Sequence, residues 1–571
     1  MTEPLIGVGI YEDHNAGVAA IDGGELRVYG EIERRTRTKN QAGWFPEIAE
    51  EWLGRVPRER IGAVCAGDVR TVRAFLCERF GARALDDGRV SLGGRPVRLL
   101  SQDDLHPQLH FLSTLVLPGV VPDVYAVMVF DAGRPQIGWV DLRAPLRAIP
   151  DLHLRSDAAT SWYVGDIFAG LFGTMFYGAP SLESCGKLMG MASWGRPTVG
   201  AVDGLRELAR ETFDPTTKTW LGYRTVAPDD VHASVVQRFA VDPLEHDTSE
   251  TLDLAASAQE LFRHQLVAFA SAELERIEAE LRAHDLPRPR AILYAGGCAL
   301  SVVTNAALRK ATGLAVIAPP FSHDAGQFVG GAFYAALACN ESVPLGRGWP
   351  GLPNHLAGVV GPREIAGAGA ELRPIEPDEV ARRILEGELL ACVGDGAEAG
   401  PRALGNRSLL ANALDPSMRE RLNDEVKKRE WYRPFAPMLP AEAFPEYYGE
   451  DATPCARYML DSFTLRPALR GVLSSVASPD GVSRAQAVER SSSRWLYALL
   501  EALGARSGRP VVLNTSLNAP GLPIAFDCRQ TLDDARALGL DALVVREPAS
   551  DGIVPRAYVA ELRERACASA S

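Results

Sequence analysis

The sequence lacks several features that mark secreted, membrane-embedded or nucleic-acid-binding proteins. Its nine cysteines are odd in number and scattered, with no C-x-x-C pair, so we expect reduced thiols in a cytoplasmic protein. No run approaches about 18 uninterrupted apolar residues, and the first residues carry no basic segment before an apolar one, so neither a membrane span nor a signal peptide is predicted. Acidic residues outnumber basic ones, 73 to 60, and the net charge of -13 disfavours a nucleic-acid partner. These absences leave a small-molecule substrate as the better expectation.

The composition indicates a globular chain of more than one domain. With 571 residues, 46% of them hydrophobic, the chain is long for a single core. Proline and glycine are concentrated between about residues 340 and 371, which is typical of a linker rather than of a packed element. We therefore expect a boundary inside this stretch, with an N-terminal domain over 1–350 and a C-terminal domain over 351–571.

Strand-like segments recur in a way that predicts a duplicated α/β fold. The segments Leu5–Ile10, Val18–Ile21 and Leu26–Ile32 are separated by polar turns and predict a β-meander. A second meander is predicted over Tyr125–Val140. Apolar residues at helical spacing over Leu254–Leu281 predict a long helix.

Two histidines at helical spacing are the strongest metal-binding signal. His106 and His110 are four residues apart, so on a helix both imidazoles can reach one ion, although two unrelated histidines are the alternative interpretation. Asp131 and Asp324 each follow an apolar segment, where α/β folds place their sites. Two histidines and two aspartates suit iron, manganese or another divalent transition metal better than structural zinc.

Other residues near turns are candidates for catalysis or nucleotide binding. His14 lies at the tip of the first hairpin and could act as a general base if a metal or nucleotide lies nearby; otherwise it is an exposed histidine. Gly296 and Gly297 follow an apolar strand, and their N–H groups could bind phosphate oxygens. Lys187 could meet a phosphate or solvate a helix end, and Lys39 could contact nucleotide or acceptor or lie in a solvated loop.

The C-terminal half contains a candidate anion pocket. Arg402 and Arg433 adjoin prolines in two segments rich in basic residues, the second of which includes Lys427. Arginine matches phosphate and carboxylate geometry, so convergence of these segments would create an anion pocket. A solvated basic face and nucleic-acid binding are the alternatives. Asn514 and Ser516 follow a strand-like segment and fit a ligand loop.

Taken in order, the motifs of the chain resemble those of the NodU/CmcH family of O-carbamoyltransferases, which includes the nodulation-factor, cephalosporin and tobramycin carbamoyltransferases. The blocks that carry the resemblance are the His14 hairpin, HPQLH, FDAG, GKLMGMASWG, YAGGCALSVVTN, APPFSHDAG, GPRALGNRSLL, KKREWYRPFAP and VVLNTSLN. The resemblance implies a duplicated N-terminal domain of the actin-like, ribonuclease-H-like (ASKHA) fold and a C-terminal YrdC-like α/β domain.

The resemblance also implies a chemistry and a set of site residues. ATP and carbamoyl phosphate would give a carbamoyl-adenylate, and the carbamoyl group would pass to a hydroxyl of a small-molecule natural product, as in antibiotic biosynthesis. His14 matches the position assigned to transfer. The implied metal ligands are His106, His110, Asp131 and Asp324, with iron expected and manganese or magnesium as alternatives. The implied carbamoyl phosphate and ATP contacts are Arg402, Lys427, Arg433, Arg484, Asn514 and Ser516, with Lys39, Lys187, Gly296, Gly297 and Asn305 as nucleotide contacts.

Three other interpretations stay open at this point. A tRNA-modifying enzyme or a hydrogenase-maturation enzyme would share both domain types, but the acidic charge disfavours tRNA, and no zinc-finger cysteine pairs are present. A non-enzymatic regulator of the actin-like fold would leave the arginines of the second half without a purpose. The expected partners are carbamoyl phosphate, ATP and a hydroxylated acceptor, without nucleic acid or membrane, and a homodimer is compatible with them.

Overall fold

The structure is a computed structural model that describes residues 3–131, 135–150, 165, 167–179, 182–212, 228–347, 360–394, 396–548 and 554–563. Three large sheets organise these residues. Two belong to the N-terminal half and one to the C-terminal half.

The first sheet has seven strands. They are β1 (Ile6–Tyr11), β2 (Gly17–Asp22), β3 (Glu25–Glu31), β4 (Ile61–Ala66), β5 (Arg83–Asp86), β6 (Arg89–Leu92) and β7 (Arg95–Ser101). Their order is β3-β2-β1-β4-β7-β6-β5. The predicted meander is confirmed, since β1, β2 and β3 pair antiparallel, and β4 then pairs parallel with β1. All six residues of β4 are buried, as expected for a strand covered on both faces.

The second sheet repeats the opening of the first. Its strands are β8 (Val124–Val129), β9 (Gln136–Asp141), β10 (Ala291–Ala295) and β11 (Ala315–Ile317), in the order β11-β10-β8-β9. Strands β8 and β9 pair antiparallel, and β10 then returns parallel to β8, just as β4 returns to β1. The prediction of a duplicated α/β fold is therefore confirmed.

Helices cover the two N-terminal sheets. The described α-helices of this half are Ile32–Thr36, Pro46–Leu53, Val69–Phe80, His106–Thr114, Gly173–Tyr177, Leu182–Ala192, Val199–Thr212, Pro228–Phe239, Ser249–Ala283, Val302–Thr312 and Ala325–Cys339. The predicted long helix is confirmed as Ser249–Ala283, and Thr248 caps its N-terminus by accepting from the N–H of Thr251. A π-helical segment, Ile167–Phe172, precedes the helix Gly173–Tyr177.

The C-terminal half is built on an eight-stranded mixed sheet of order β12-β21-β20-β13-β14-β19-β15-β18. The strands of this half are β12 (Arg373–Ile375), β13 (Leu390–Val393), β14 (Arg407–Ala411), β15 (Ala436–Pro440), β16 (Phe463–Thr464), β17 (Val482–Ser483), β18 (Gln486–Val488), β19 (Val512–Ser516), β20 (Ala542–Arg546) and β21 (Ala557–Glu561). Its described α-helices are Pro362–Gly367, Pro377–Leu385, Met418–Glu420, Phe444–Tyr448, Arg494–Ser507 and Cys528–Ala537, with a π-helical segment at Arg421–Lys427. Both halves thus have the predicted α/β class.

Part of the predicted linker belongs to a packed element. The expected boundary at 350/351 lies outside the described residues. Within the same Pro- and Gly-rich stretch, however, Pro362–Gly367 forms a helix, and Val360 and Ile365 are fully buried. The expectation of an unpacked linker was therefore wrong for this part, because proline at the first turn of a helix is favourable and composition alone does not report burial.

The two halves pack closely against each other. A single apolar cluster contains Phe321 of the N-terminal half and Tyr432 and Cys455 of the C-terminal half. Arg309 forms ion pairs across the junction with Glu450 and Asp461, at 2.8 and 3.1 Å. Among the described helices, none combines the length and the hydropathy needed to cross a membrane.

Candidate active site

A cavity of about 910 Å³ lies between the two halves. The N-terminal half lines it with the first hairpin, the end of β8 and the turn after β10. The C-terminal half lines it with loops that follow or precede β13, β15, β18 and β19. Predicted site residues that line the cavity are His14, Lys39, Asp131, Lys187, Gly297, Asp324, Arg402, Lys427, Arg433, Arg484, Asn514 and Ser516. The cavity therefore brings together most of the predicted site, and its two ends differ in charge.

At one end, two histidines and two aspartates converge as predicted. The helix His106–Thr114 begins with Pro107 in its first turn and places both imidazoles on one side. The Nε2 atoms of His106 and His110 each lie 3.2 Å from Asp131 Oδ2. His110 Nε2 lies 3.3 Å from Asp324 Oδ1. One ligand atom from each residue can be chosen so that all four lie within 4.8 Å of one another.

The donor atoms of this cluster fit a divalent metal. Asp324 is 3% exposed, and His14 and Tyr11 contact its Oδ2 atom. Its Oδ1 atom is buried and accepts no hydrogen bond of normal geometry from the described residues. A carboxylate oxygen that accepts no hydrogen bond and lies near two imidazole nitrogens is available to bind a metal together with them.

The carboxylates of the cluster are ionised. Burial opposes ionisation of Asp131, but hydrogen bonds from His106 and His110 outweigh it and hold its pKa well below the usual range. Burial and the charge of Asp131 raise the pKa of Asp324, yet the nearby His110 and His14 side chains lower it overall. Both aspartates can therefore act as anionic metal ligands near neutral pH.

His14 lies beside this cluster. Its Nε2 atom is 2.5 Å from Asp324 Oδ2, and its side chain is 45% exposed. The hydrogen bond to Asp324 outweighs burial and raises the pKa of His14 to about 9. A cation bound to Asp324 would oppose this rise, because it would neutralise the carboxylate and repel an imidazolium.

The glycine turn after β10 positions Asp131. Gly296 has φ +92°, and a side chain there would meet the Phe130 carbonyl oxygen at 2.3 Å, so glycine is required. The N–H of Gly296 donates to Ser322 O at 2.8 Å, and that of Gly297 donates to Asp131 Oδ1 at 3.0 Å. Both amides predicted to bind phosphate are thus engaged by the protein.

At the other end of the cavity, arginines converge without matching carboxylates. Arg402, Arg433 and Arg484 come from three separate loops, and Arg429 adds a fourth guanidinium. The Nε atoms of Arg402 and Arg484 and one terminal nitrogen of Arg429 are buried, and none has a hydrogen-bond partner among the described residues. Within the part of the chain that the structure describes, the ion pair of these arginines is that of Arg433 with Glu430, at 3.6 Å.

Burial and, to a smaller extent, the neighbouring cations lower the pKa values of Arg402, Arg429 and Arg484. Burial, followed by the charge of Arg433, lowers the pKa of Arg402 to about 10 and that of Arg429 to about 9. Burial and then Arg402 lower the pKa of Arg484 well below its usual value. Uncompensated positive charge of this kind favours binding of a multivalent anion.

The loop that carries Arg402 is held by a buried carboxylate that the sequence did not indicate. Glu398 Oε1 accepts from the backbone N–H groups of Leu404, Asn406 and Arg407, at 2.7, 2.7 and 3.0 Å. Asn514 fixes the same loop by donating to Ala403 O at 2.9 Å. The structure therefore assigns Asn514 a positioning contact.

Several predicted ligand contacts are engaged by protein groups. Lys427 Nζ donates to the carbonyl oxygens of Ser516 and Asn518 and to the Asn518 side chain, so its three protons hold the turn after β19. Asn305 is buried and donates to Ala299 O and Leu460 O, both at 2.7 Å. This amide joins the two halves.

The other two predicted lysines lie in the cavity wall and form ion pairs. Lys187 Nζ is 2.8 Å from Glu430 Oε1, and Lys39 Nζ is 3.3 Å from Glu183 Oε1. Because Glu430 also contacts Arg433, Lys187 helps to position the arginine end of the cavity.

The fold and site thus define an α/β protein with a duplicated N-terminal half, a candidate metal cluster and an anion pocket. A family model described as carbamoyltransferase N-terminus matches residues 148–333, and one described as carbamoyltransferase C-terminus matches residues 381–550. Since both halves of the family are present in the expected order, the chain belongs to the carbamoyltransferase family.

Curated relatives agree with this assignment. The chain is 37% identical to nodulation protein U of Rhizobium tropici over 243 residues, which cover 42% of this chain and 40% of the relative. It is 31% identical to nodulation protein U of Sinorhizobium fredii over 348 residues, which cover 60% of this chain and 59% of the relative. It is 30% identical to nodulation protein NolNO of the same organism over 376 residues, covering 63% and 52%. The matched segments thus span about two fifths to three fifths of these relatives.

Solved structures with similar parts are distant. The activator of the 2-hydroxyisocaproyl-CoA dehydratase from Clostridium difficile has 11% identity and a TM-score of 0.30, covering 59% of this chain and 95% of that one. A ROK family glucokinase from Streptomyces griseus has 13% identity and a TM-score of 0.27, and the match covers 57% of this chain and 98% of that one.

Proposed function

We propose that the chain makes a carbamoyl-adenylate from carbamoyl phosphate and ATP and transfers the carbamoyl group to a hydroxyl of a small-molecule natural product. The observation that carries this proposal is the set of buried, unpaired guanidinium nitrogens that share one cavity with Asp131 and Asp324 of the His/Asp cluster. Carbamoyl phosphate is a compact dianion, and bound there it would compensate the charge of the arginines.

The arginine end would support the first half-reaction. Arg402, Arg433 and Arg484 bind the phosphate oxygens of carbamoyl phosphate. Ser516 lines the same cavity, and its hydroxyl donates to Asn518 Oδ1 at 2.5 Å. Water cleaves carbamoyl phosphate to carbamate and phosphate. A carbamate oxygen then attacks the α-phosphorus of ATP, and pyrophosphate leaves.

The His/Asp end would support transfer. The acceptor hydroxyl oxygen attacks the carbamoyl carbon, AMP leaves, and His14 accepts the hydroxyl proton. His106, His110, Asp131 and Asp324 would hold the metal, for which iron is the first candidate, ahead of manganese and magnesium. A bound metal supplies Lewis-acid stabilisation of charge on phosphate oxygens.

The two activities would divide between the two halves. We assign transfer to the actin-like domain over 1–350 and adenylate formation to a YrdC-like domain over 351–571. Carbamoyl phosphate, ATP and a hydroxylated acceptor such as an aminoglycoside antibiotic are then the partners, in the cytoplasm, without nucleic acid or membrane. The net charge of -13 supports a cationic acceptor over an anionic one.

The first test measures pyrophosphate release from ATP with and without carbamoyl phosphate, without acceptor. We expect release only when carbamoyl phosphate is present. Arg433→Gln should raise the KM for carbamoyl phosphate at least about tenfold, because a charged hydrogen bond contributes about 1.5–3 kcal/mol. Arg490→Gln is the matched control, since Arg490 is 58% exposed and pairs with Glu501. Equal effects of the two substitutions would refute the pocket assignment.

The second test separates the half-reactions through His14. We expect His14→Asn to release pyrophosphate at a rate near that of the wild type but to form carbamoylated acceptor at least about a hundredfold more slowly. His232→Asn, at an exposed histidine that pairs with Asp242, is the control. Loss of pyrophosphate release in His14→Asn would instead place His14 in the first half-reaction.

A further inference from the structure

A buried ion pair of the N-terminal half contacts the arginine loop of the C-terminal half. Glu31 ends β3, and Arg34 lies in the helix that follows; they are 3% and 0% exposed. Arg34 Nε donates to Glu31 Oε2 at 3.0 Å. Tyr29, also fully buried, donates its hydroxyl hydrogen to Glu31 Oε1. The pair therefore has a fixed orientation.

Both ends of this pair bind one residue, Gly400. The N–H of Gly400 donates to Glu31 Oε1 at 2.9 Å, and Arg34 Nη2 donates to Gly400 O at 2.5 Å. Arg34 also reaches Ile524 O at 3.5 Å. Gly400 is followed by the rigid residue Pro401 and then by Arg402, so the pair fixes the backbone that enters the anion pocket.

Gly400 also packs against the loop that carries Asp324. Its φ is +80°, and a side chain there would lie 2.1 Å from Pro320 O, so glycine is required for this contact. The Tyr29 ring packs on Phe321 with a centroid distance of 5.4 Å. The backbone next to Arg402 therefore contacts the loop that leads to Asp324, and the Glu31–Arg34 pair binds the residue at this contact.

We propose that Glu31 and Arg34 are positioning residues that set the distance between the anion pocket and the His/Asp cluster. This inference rests on the proposed function, because the anion pocket is the part they position. A buried ion pair seldom adds net stability, since desolvation of both charges offsets their attraction. What this pair does provide is directional binding of both the N–H and the C=O of one residue.

The test compares Glu31→Gln and Arg34→Lys with Arg309→Gln. The control removes another charge pair that joins the two halves, but Arg309 contacts Glu450 and Asp461 rather than Gly400. We expect the two test variants to bind inorganic phosphate about tenfold or more weakly and to raise the KM for carbamoyl phosphate similarly, with a smaller effect on kcat. Arg309→Gln should lower the thermal midpoint but should keep the phosphate affinity and the KM for carbamoyl phosphate of the wild type.

The readouts also separate this inference from the proposed function. If the wild type binds phosphate but releases no pyrophosphate, the proposed function fails. The positioning role of Glu31 and Arg34 can then still be tested by comparing the phosphate affinity of the variants with that of the wild type. Should the test variants bind phosphate as the wild type does, or the control lose as much affinity as they do, the positioning role is overturned. Tyr29→Phe removes only the hydroxyl that binds Glu31, so it provides a milder variant if the others do not fold, with a smaller change expected in the same direction.

Discussion

Arg484 is a residue at which the proposed ligand binding and protein stability oppose each other. Its Nε atom is buried and has no hydrogen-bond partner among the described residues, and burial with three neighbouring arginines lowers its pKa. Holding such a charge without a counter-ion destabilises the folded protein. The cost is tolerated where binding of an anion compensates it, as at other strained functional sites.

We therefore expect Arg484→Gln to stabilise the ligand-free protein while it abolishes use of carbamoyl phosphate. Removing the charge relieves repulsion from Arg402, so the free energy of unfolding should rise by about 0.5–2 kcal/mol. Thermal or denaturant unfolding measures this directly, in the absence of phosphate. Arg490→Gln should leave the stability within about 0.5 kcal/mol of the wild type. A fall in stability of Arg484→Gln would mean that its charge is compensated in the folded protein.

The site residues that could be predicted without the structure are those that contact residues near them in the sequence. His106 and His110 are four residues apart, so helical geometry alone brings their side chains together. The contact of Arg34 with Gly400 spans 366 positions, and no local pattern can indicate it. Arg429 belongs to a visible basic run, but its buried, unpaired nitrogen depends on packing against other loops.

Among the secondary-structure elements, the strand and helix patterns predicted both meanders of the N-terminal half and its long helix. Strands β1 to β3 begin and end within one residue of the predicted segments, because polar turns separate them. The edge strand β5 was not predicted, since all four of its residues are exposed and leave no burial pattern. The predicted linker contained the helix Pro362–Gly367, whose Ile365 is buried in the apolar cluster of the C-terminal sheet, and composition alone does not indicate such packing.

The His/Asp cluster joins three elements, so metal removal should affect structure as well as activity. His110 comes from one helix, Asp324 from the start of another, and Asp131 follows β8. We expect chelation to abolish carbamoyl transfer and to lower the thermal midpoint. Adding back metal at a hundred times its Kd should restore about 2.7 kcal/mol of stability.

Metal content and Asp324→Asn test the same assignment. The variant should contain little metal and should not respond to chelator. Asp242→Asn, which alters an exposed His/Asp pair, should keep the metal content of the wild type. If Asp324→Asn retains full metal content, the metal binds elsewhere.

For the whole molecule, the important feature is that both ends of the site share one cavity of about 910 Å³. The halves around it are joined by buried contacts, including the Arg309 ion pairs and the Asn305 hydrogen bond to Leu460. In the proposed function, a carbamoyl-adenylate formed at the arginines would therefore reach His14 through this cavity, and we expect the cavity to protect it from hydrolysis in bulk water.

Mixing two variants, each unable to make the carbamoylated product, tests whether the intermediate stays in the cavity. His14→Asn should form the adenylate without transferring it, and Arg484→Gln should keep the transfer end while making no adenylate. If the intermediate stays in the cavity, an equimolar mixture with ATP, carbamoyl phosphate and acceptor should give no more product than the sum of the separate variants. Wild-type protein diluted twofold with His14→Asn provides the reference for full transfer. Recovery of a substantial part of that rate in the mixture would show that the intermediate escapes and is captured by a second molecule, so the cavity would not enclose it.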